Sequence, residues 1–470
     1  MHTATDRPPR FQLSLISGCL LGLSACSPPA QLPESASYGP APDLSSYHAS
    51  WLPTVHVAKA VGWPQGEKPA SAPGTHVVAF ASDLHHPRWL YELPNGDILV
   101  AETNHPPNNE GFSLKSWIAS LFMKDGGAGA ESMNRIMLLR DNDSDGVAEE
   151  RHVFIKDLHS PFGMALIGDT FYVANADALI KFPYQPGQTE ITAAPTKVTD
   201  LPAERNHHWT KNILPAPDGS KLYVSVGSNS NVGENGMDEE KERAAIWEVD
   251  AVSGQHHIYA SGLRNPNGMV WEPHTGDLWV VVNERDELGS DLVPDYMTSV
   301  KQNGFYGWPY SYYGQHVDER VQPPRPELVA TAIPPDYALG THTASLGLFP
   351  AKGNQLPEQF QNGMFVGQHG SWNRQPYNGY KVIFVPFEAG KPAGQPIDVL
   401  TEFLNADGQA RGRPVGVIVD KKGQLLVADD VGNVIWNVKG SHKTARHTDS
   451  NASENREATS GVHATVAAHD

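Results

Sequence analysis

Two strings in this chain concentrate groups that can do chemistry. Residues 141–149 read Asp141-Asn142-Asp143-Ser144-Asp145-Gly146-Val147-Ala148-Glu149. Carboxylates at alternate positions, a glycine at the sixth for the sharp turn and a carboxylate at the ninth form an oxygen cage of the kind Ca²⁺ prefers, with Asp141, Asp143, Asp145 and Glu149 as ligands. The plainer alternative is an acidic turn without metal. The second string is Gly262-Leu263-Arg264-Asn265-Pro266-Asn267-Gly268. Here Pro266 fixes the backbone and Gly268 is expected to let the chain turn, so that Arg264 and Asn265 are presented rigidly. Upstream, Asn206-His207-His208-Trp209-Thr210 offers His208 as a general base, because an imidazole titrates near neutral pH. Downstream, residues 283–291 form an acidic, oxygen-rich loop that suits either a hard cation or simple solvation.

Residues so far apart need a scaffold that brings them together. Six times a small turn carrying glycine leads into a short apolar run: after Gly96, Gly168, Gly219, Gly276, Gly363 and Gly423. Asn-Gly and Asp-Gly tolerate the positive φ of tight hairpin turns, and the apolar runs that follow read as strands. A repeat of about 50 to 85 residues built of β-hairpins predicts an all-β, six-bladed β-propeller. Corresponding loops of such a ring open on one face, so matching positions converge.

Counting back about ten to twelve residues from each turn glycine lands on His85, His208, Arg264, Lys352 and Arg411, with Arg413 two residues further on. Several cations at one rim of an acidic protein call for an anionic occupant, and the planar fork of arginine grips carboxylates in pairs. The competing possibility is a separate surface ion pair for each cation.

The 470 residues carry 35 Lys+Arg against 53 Asp+Glu, a formal net charge of -18, which argues against a nucleic-acid partner. A start with Arg7 and Arg10, a short apolar stretch and Leu23-Ser24-Ala25-Cys26 describe an export signal, with Cys26 as the lipidated residue of a bacterial lipoprotein. That places the protein on the periplasmic side of a membrane, held there only by a lipid anchor. The two cysteines, Cys19 and Cys26, both lie in this leader, so the mature domain has no haem attachment and its electrons must leave to an external acceptor, a cytochrome or a quinone. The domain plan is a signal at 1–26, a tether and lead-in segment at 27–75, the propeller at 76–438 and a polar tail at 439–470. An insertion helix is expected at 114–124.

Taken in order, these motifs resemble the soluble quinoprotein sugar dehydrogenases, the glucose and sorbosone dehydrogenase family, and are most similar to its sorbosone branch. The resemblance spans about residues 85–438. It rests on residues 206–212 followed by Pro217-Asp218-Gly219, on residues 262–268, on Tyr306-Gly307-Trp308-Pro309 and on Arg411-Gly412-Arg413-Pro414. It implies a six-bladed propeller that binds pyrroloquinoline quinone, a tricarboxylate, with Ca²⁺ at the ring centre, and that oxidises an aldose, sorbosone or a related sugar to a lactone or acid. Carried over residue by residue, it makes His208 the base, puts Arg264 and Asn265 at the reactive quinone edge, and has Arg411, Arg413 and Lys352 hold the cofactor. It implies that Glu284 and Arg285 ligate Ca²⁺ through their backbone carbonyls, although the glucose dehydrogenases have Gly-Pro there. A calcium-dependent sugar lactonase and a non-catalytic carbohydrate-binding propeller remain as alternatives.

Overall fold

The computed structural model of the protein describes residues 28–45, 54–106, 126–127 and 129–441. The leader with Cys26, the expected helix at 114–124 and the chain beyond 441 lie outside the described residues.

The apolar triplets behind the glycine turns explain the architecture. Their last residues, Val100, Val173, Val224, Val280, Val366 and Val427, are all 0% exposed. A β-branched residue covered on every side fits a strand sandwiched between two neighbouring sheets, and burying such a side chain contributes about 1.5–3 kcal/mol. Each triplet belongs to the second strand of an antiparallel sheet, and six such sheets form the blades of a β-propeller.

The innermost strands of blades one to six are Pro87–Glu92, Met164–Ile167, Ile213–Pro215, Asn265–Trp271, Ser345–Pro350 and Pro414–Val419. They pack against one another around the ring axis. The packing is close enough to dictate glycine: a Cβ on Gly347 would lie 2.2 Å from the carbonyl oxygen of Val415. Gly268 is explained in the same way. It sits within the inner strand of blade four, where a Cβ would meet the Leu346 carbonyl at 2.7 Å, so it serves close blade contact and not the turn expected from sequence.

All six glycine turns join an inner strand to the second strand and therefore share one face of the ring. The opposite face, where inner strands begin and second strands end, is the candidate site face. The ring is closed by Thr75–Ala81, which adds to Val434–Gly440 as the outer strand of blade six. Much of the segment expected as a tether is also built into the ring: Tyr38–Gly39 extends blade four and Ala70–Ser71 extends blade five. Residues 54–61 lie on the site face, with His56 N–H donating to the Trp372 carbonyl at 2.8 Å and Val61 N–H to that of Ala410 at 2.8 Å.

Candidate functional site

The site face holds a cavity of about 240 Å³, lined by side chains from blades one, three, five and six and by Val57 of the 54–61 segment. Its walls include the indoles of Trp209 and Trp372, and its charged groups are His86, Arg88, Arg413 and Asp430, with His369, His105 and His207 beside them. Each reaches the cavity because it sits just before or at the start of an inner strand, or on a loop after a second strand.

The polar inventory of this cavity does not close. Arg88 Nε and Arg413 Nε are buried without a hydrogen-bond partner, and His86 Nε2 makes no hydrogen bond, with only the Asp430 carboxylate near it at 3.5 Å. Buried donors left unpaired cost about 1–3 kcal/mol each, so this arrangement fits a ligand that brings acceptors. Arg413 is steadied by Tyr380, whose hydroxyl accepts from Nη2 at 3.0 Å and whose ring centroid lies 5.0 Å from the guanidinium carbon. Arg88 lies 5.7 Å from the Trp209 ring centroid. A planar polycarboxylate suits both features, cations for its charges and indoles for its ring. The residues present therefore fit pyrroloquinoline quinone.

His208 stands next to this wall, between the cavity-lining His207 and Trp209. Its Nδ1 lies 2.8 Å from the Ser228 carbonyl oxygen, which can only accept, so Nδ1 carries the proton and Nε2 the lone pair. Burial, reinforced by Arg264 and His207, holds the imidazole well below its ordinary pKa, so it is neutral at pH 7. Asn265 is adjacent: a Cβ on Gly227 would lie 2.5 Å from His208 Cβ and 2.6 Å from Asn265 Oδ1, an oxygen that is itself buried without a partner. The fully buried Lys211 fixes the turn, its ammonium donating to Asn206 Oδ1 at 3.1 Å and to the Trp209 carbonyl at 3.1 Å.

Arg264 is 3% exposed, and its guanidinium is spent on the protein. Nη1 donates to the Glu284 carbonyl at 2.6 Å, Nε to the Asn231 carbonyl at 3.1 Å, and Nη2 to Asn231 Oδ1 at 3.0 Å and Asp286 Oδ2 at 2.9 Å. The Glu284 carbonyl, expected as a calcium ligand, is thus engaged with the protein. The Glu284 carbonyl already accepts from one guanidinium, the Glu284 carboxylate pairs with Arg285 at 3.1 Å, and Arg285 goes on to Asp318 at 3.0 Å. Around these two guanidinium groups stand the carboxylates of Glu284, Asp286, Asp295 and Asp318, and Glu284 Oε1 is buried without a hydrogen-bond partner.

Two expectations change. Lys352 lies beyond the far end of the inner strand Ser345–Pro350, exposed on the opposite face. The count back from Gly363 failed because blade five has a long turn, 351–362, so the matching positions are Thr343 and Ala344. Arg411 and Arg413 part company: Arg411 pairs with Glu67 at 3.0 Å and lies 5.9 Å from the Trp63 ring centroid, while Arg413 alone lines the cavity. The carboxylates of Asp141, Asp143, Asp145 and Glu149 do converge, with ligand atoms within 4.8 Å of one another. They join the third and fourth strands of blade one on the opposite face, beside Lys422 and Lys439 of blade six.

Sequence reasoning missed His86, Arg88, His369 and Asp430. The count in blade one fell on His85, one residue from His86, and alignment on the start of each inner strand would have found it.

A profile of the TrAA12-like family matches residues 121–304 and 317–441. The chain belongs to the TrAA12-like family. An uncharacterised protein of Borreliella burgdorferi is 27% identical over 307 residues, covering 62% of this chain and 79% of that protein. A pyrroloquinoline quinone-dependent pyranose dehydrogenase of Coprinopsis cinerea is 24% identical over 368 residues, covering 63% of this chain and 48% of that one, so this TrAA12-like chain spans about half the length of that relative. The holo form of the PQQ domain of a pyranose dehydrogenase from Coprinopsis cinerea shares the fold, with a TM-score of 0.63 at 20% identity over 82% of this chain and 100% of that domain. The TrAA12-like match begins at residue 121, so His86 and Arg88, which help wall the cavity, lie outside it.

Proposed function

We propose that this protein is an exported, pyrroloquinoline quinone-dependent dehydrogenase that oxidises a sugar hemiacetal, an aldose, sorbosone or a related pyranose, to its lactone or acid. The observation that carries the proposal is the pair of unpaired buried donors on Arg88 and Arg413 in a cavity walled by two indoles. The family membership and the named activity of the Coprinopsis cinerea relative support it.

When bound, the quinone supplies the hydride acceptor that no side chain of the protein can supply. Arg88, Arg413 and His86 would hold its carboxylates, in a cavity whose walls include the indoles of Trp209 and Trp372. His208 Nε2 takes the proton of the sugar hydroxyl, a role open to it because Nδ1 is locked on Ser228. Asn265 Oδ1 accepts a hydrogen bond from the substrate. Arg264 orients Asp286 and the Glu284 carbonyl at this edge. The electrons then pass to an external cytochrome or quinone, with Cys26 as the lipid anchor at the periplasmic side.

Calcium, on this proposal, binds the 141–149 loop, on the face opposite the cavity. A lactonase would need an acidic oxygen cluster at the ring centre, whereas the one cluster of this kind among the described residues lies on the other face. The test is reconstitution of the purified protein with the quinone, with and without Ca²⁺, followed by dye-linked oxidation of a sugar panel. Oxidation that requires the quinone and is abolished in His208→Ala is expected. Lactone hydrolysis without quinone would overturn the proposal.

A further inference from the structure

The floor of the cavity contains a carboxylate that the proposed reaction does not use. Asp430 has a side chain 1% exposed, and three groups from two other blades meet its Oδ2: His369 Nε2 at 2.9 Å, His86 Nε2 at 3.5 Å and Arg88 Nη1 at 3.3 Å. The remaining charged or titratable groups of the cavity are Arg413, whose carbonyl accepts from Asp430 N–H at 3.3 Å, His105, bonded to the Asn206 carbonyl at 3.2 Å, and His207. By itself a negative charge beneath an anion site opposes binding, since like charges repel most strongly where water is excluded. Its position makes sense if it serves the imidazoles.

Without an added anion both imidazoles are neutral at pH 7. Burial pushes His369 down to about 4, against the pull of Asp430, and it lowers His86 as well. Burial also works against the charge of Asp430, but His369, His86 and Arg88 outweigh it and keep the carboxylate ionised. His369 spends its Nε2–H on Asp430, so its Nδ1 bears a lone pair. A proton arriving there turns a repelling lone pair into a donor, sandwiched between the ligand's charge and that of Asp430.

We propose, resting on the reading that a polycarboxylate fills this cavity, that His369 and His86 take up a proton from solvent as the ligand enters, with Asp430 as the fixed counter-charge. Binding of the cofactor is then coupled to pH. Because the protonated site binds more tightly, affinity falls as pH rises, by about tenfold per pH unit for each proton taken up.

The experiment is calorimetric titration of the whole protein with pyrroloquinoline quinone between pH 5.5 and 8, in buffers of different ionisation enthalpy. About one proton taken up per ligand bound is expected, with Kd rising with pH. Asp430→Asn should abolish the uptake, flatten the pH dependence and bind more tightly than the parent at pH 8, whereas a merely structural loss would weaken binding at every pH. His369→Gln should lower the number of protons taken up, and His274→Gln, an exposed histidine on the glycine turn of blade four on the opposite face, should leave it unchanged, which keeps the test decisive if Asp430→Asn does not fold. Binding with a buffer-independent heat and a flat Kd would overturn this proposal while leaving the cofactor reading intact. No binding at any pH would overturn both.

Discussion

Arg264 and Arg413 are arginines of the same site face, 3% and 6% exposed, yet they stand in opposite situations. Arg264 directs its guanidinium at four protein acceptors, and Arg413 keeps an unpaired Nε beside a cavity. Burial and residue type are alike, so what separates a scaffold arginine from a ligand arginine is whether its donors are already spent. The same contrast divides the site into a blade-four end held together by the protein and an end between blades one, five and six where Arg88 Nε and Arg413 Nε have no protein partner.

Four variants sharpen or break this contrast. His208 stands between the two ends, and His208→Asn should lower kcat by on the order of 10²–10⁴ while leaving quinone Kd almost unchanged. Because burial depresses the His208 pKa, the base stays unprotonated below pH 6.5, so kcat at saturating cofactor should stay flat from pH 8 down past 6.5. An acid limb above 6.5 would contradict that assignment. Next in size, Arg413→Ala should raise quinone Kd by about 10 to 100-fold, the worth of a charge-assisted hydrogen bond of about 1.5–3 kcal/mol, with little change in urea midpoint. Arg264→Lys should do the reverse: it strands buried acceptors and lowers stability by about 1–3 kcal/mol, read from urea unfolding, with a smaller effect on Kd. Smallest of all, Arg411→Ala removes a partly exposed ion pair with Glu67, worth about 0–1 kcal/mol, and should leave Kd unchanged.

The ring was legible because its signal is local and repeated. Each glycine turn and each buried valine recurs in every blade, and Gly96 and Gly219 adopt φ of 93° and 71° as the turn chemistry requires. The site was legible only where spacing is constant. His208, Arg264 and Arg413 were found because the turns of their blades are short, whereas the long turn of blade five moved the count from Ala344 to Lys352. Asp430 and His369 follow second strands, so no count back from a turn could reach them. The partnering of Arg264 with Glu284 and Asp286 is a tertiary matter, set by side chains meeting across loops of blades three and four, and no spacing rule encodes it.

The central claim is that unpaired donors, not arginines as such, mark the cofactor end. The most direct test is a titration of the purified protein with pyrroloquinoline quinone, read by quenching of tryptophan fluorescence from Trp209 and Trp372, in the parent, Arg413→Ala and Arg264→Lys. Saturable binding that is weakened at least about tenfold by Arg413→Ala and largely retained in folded Arg264→Lys is the predicted result. Equal affinity in the parent and Arg413→Ala, or no binding by the parent, would contradict it.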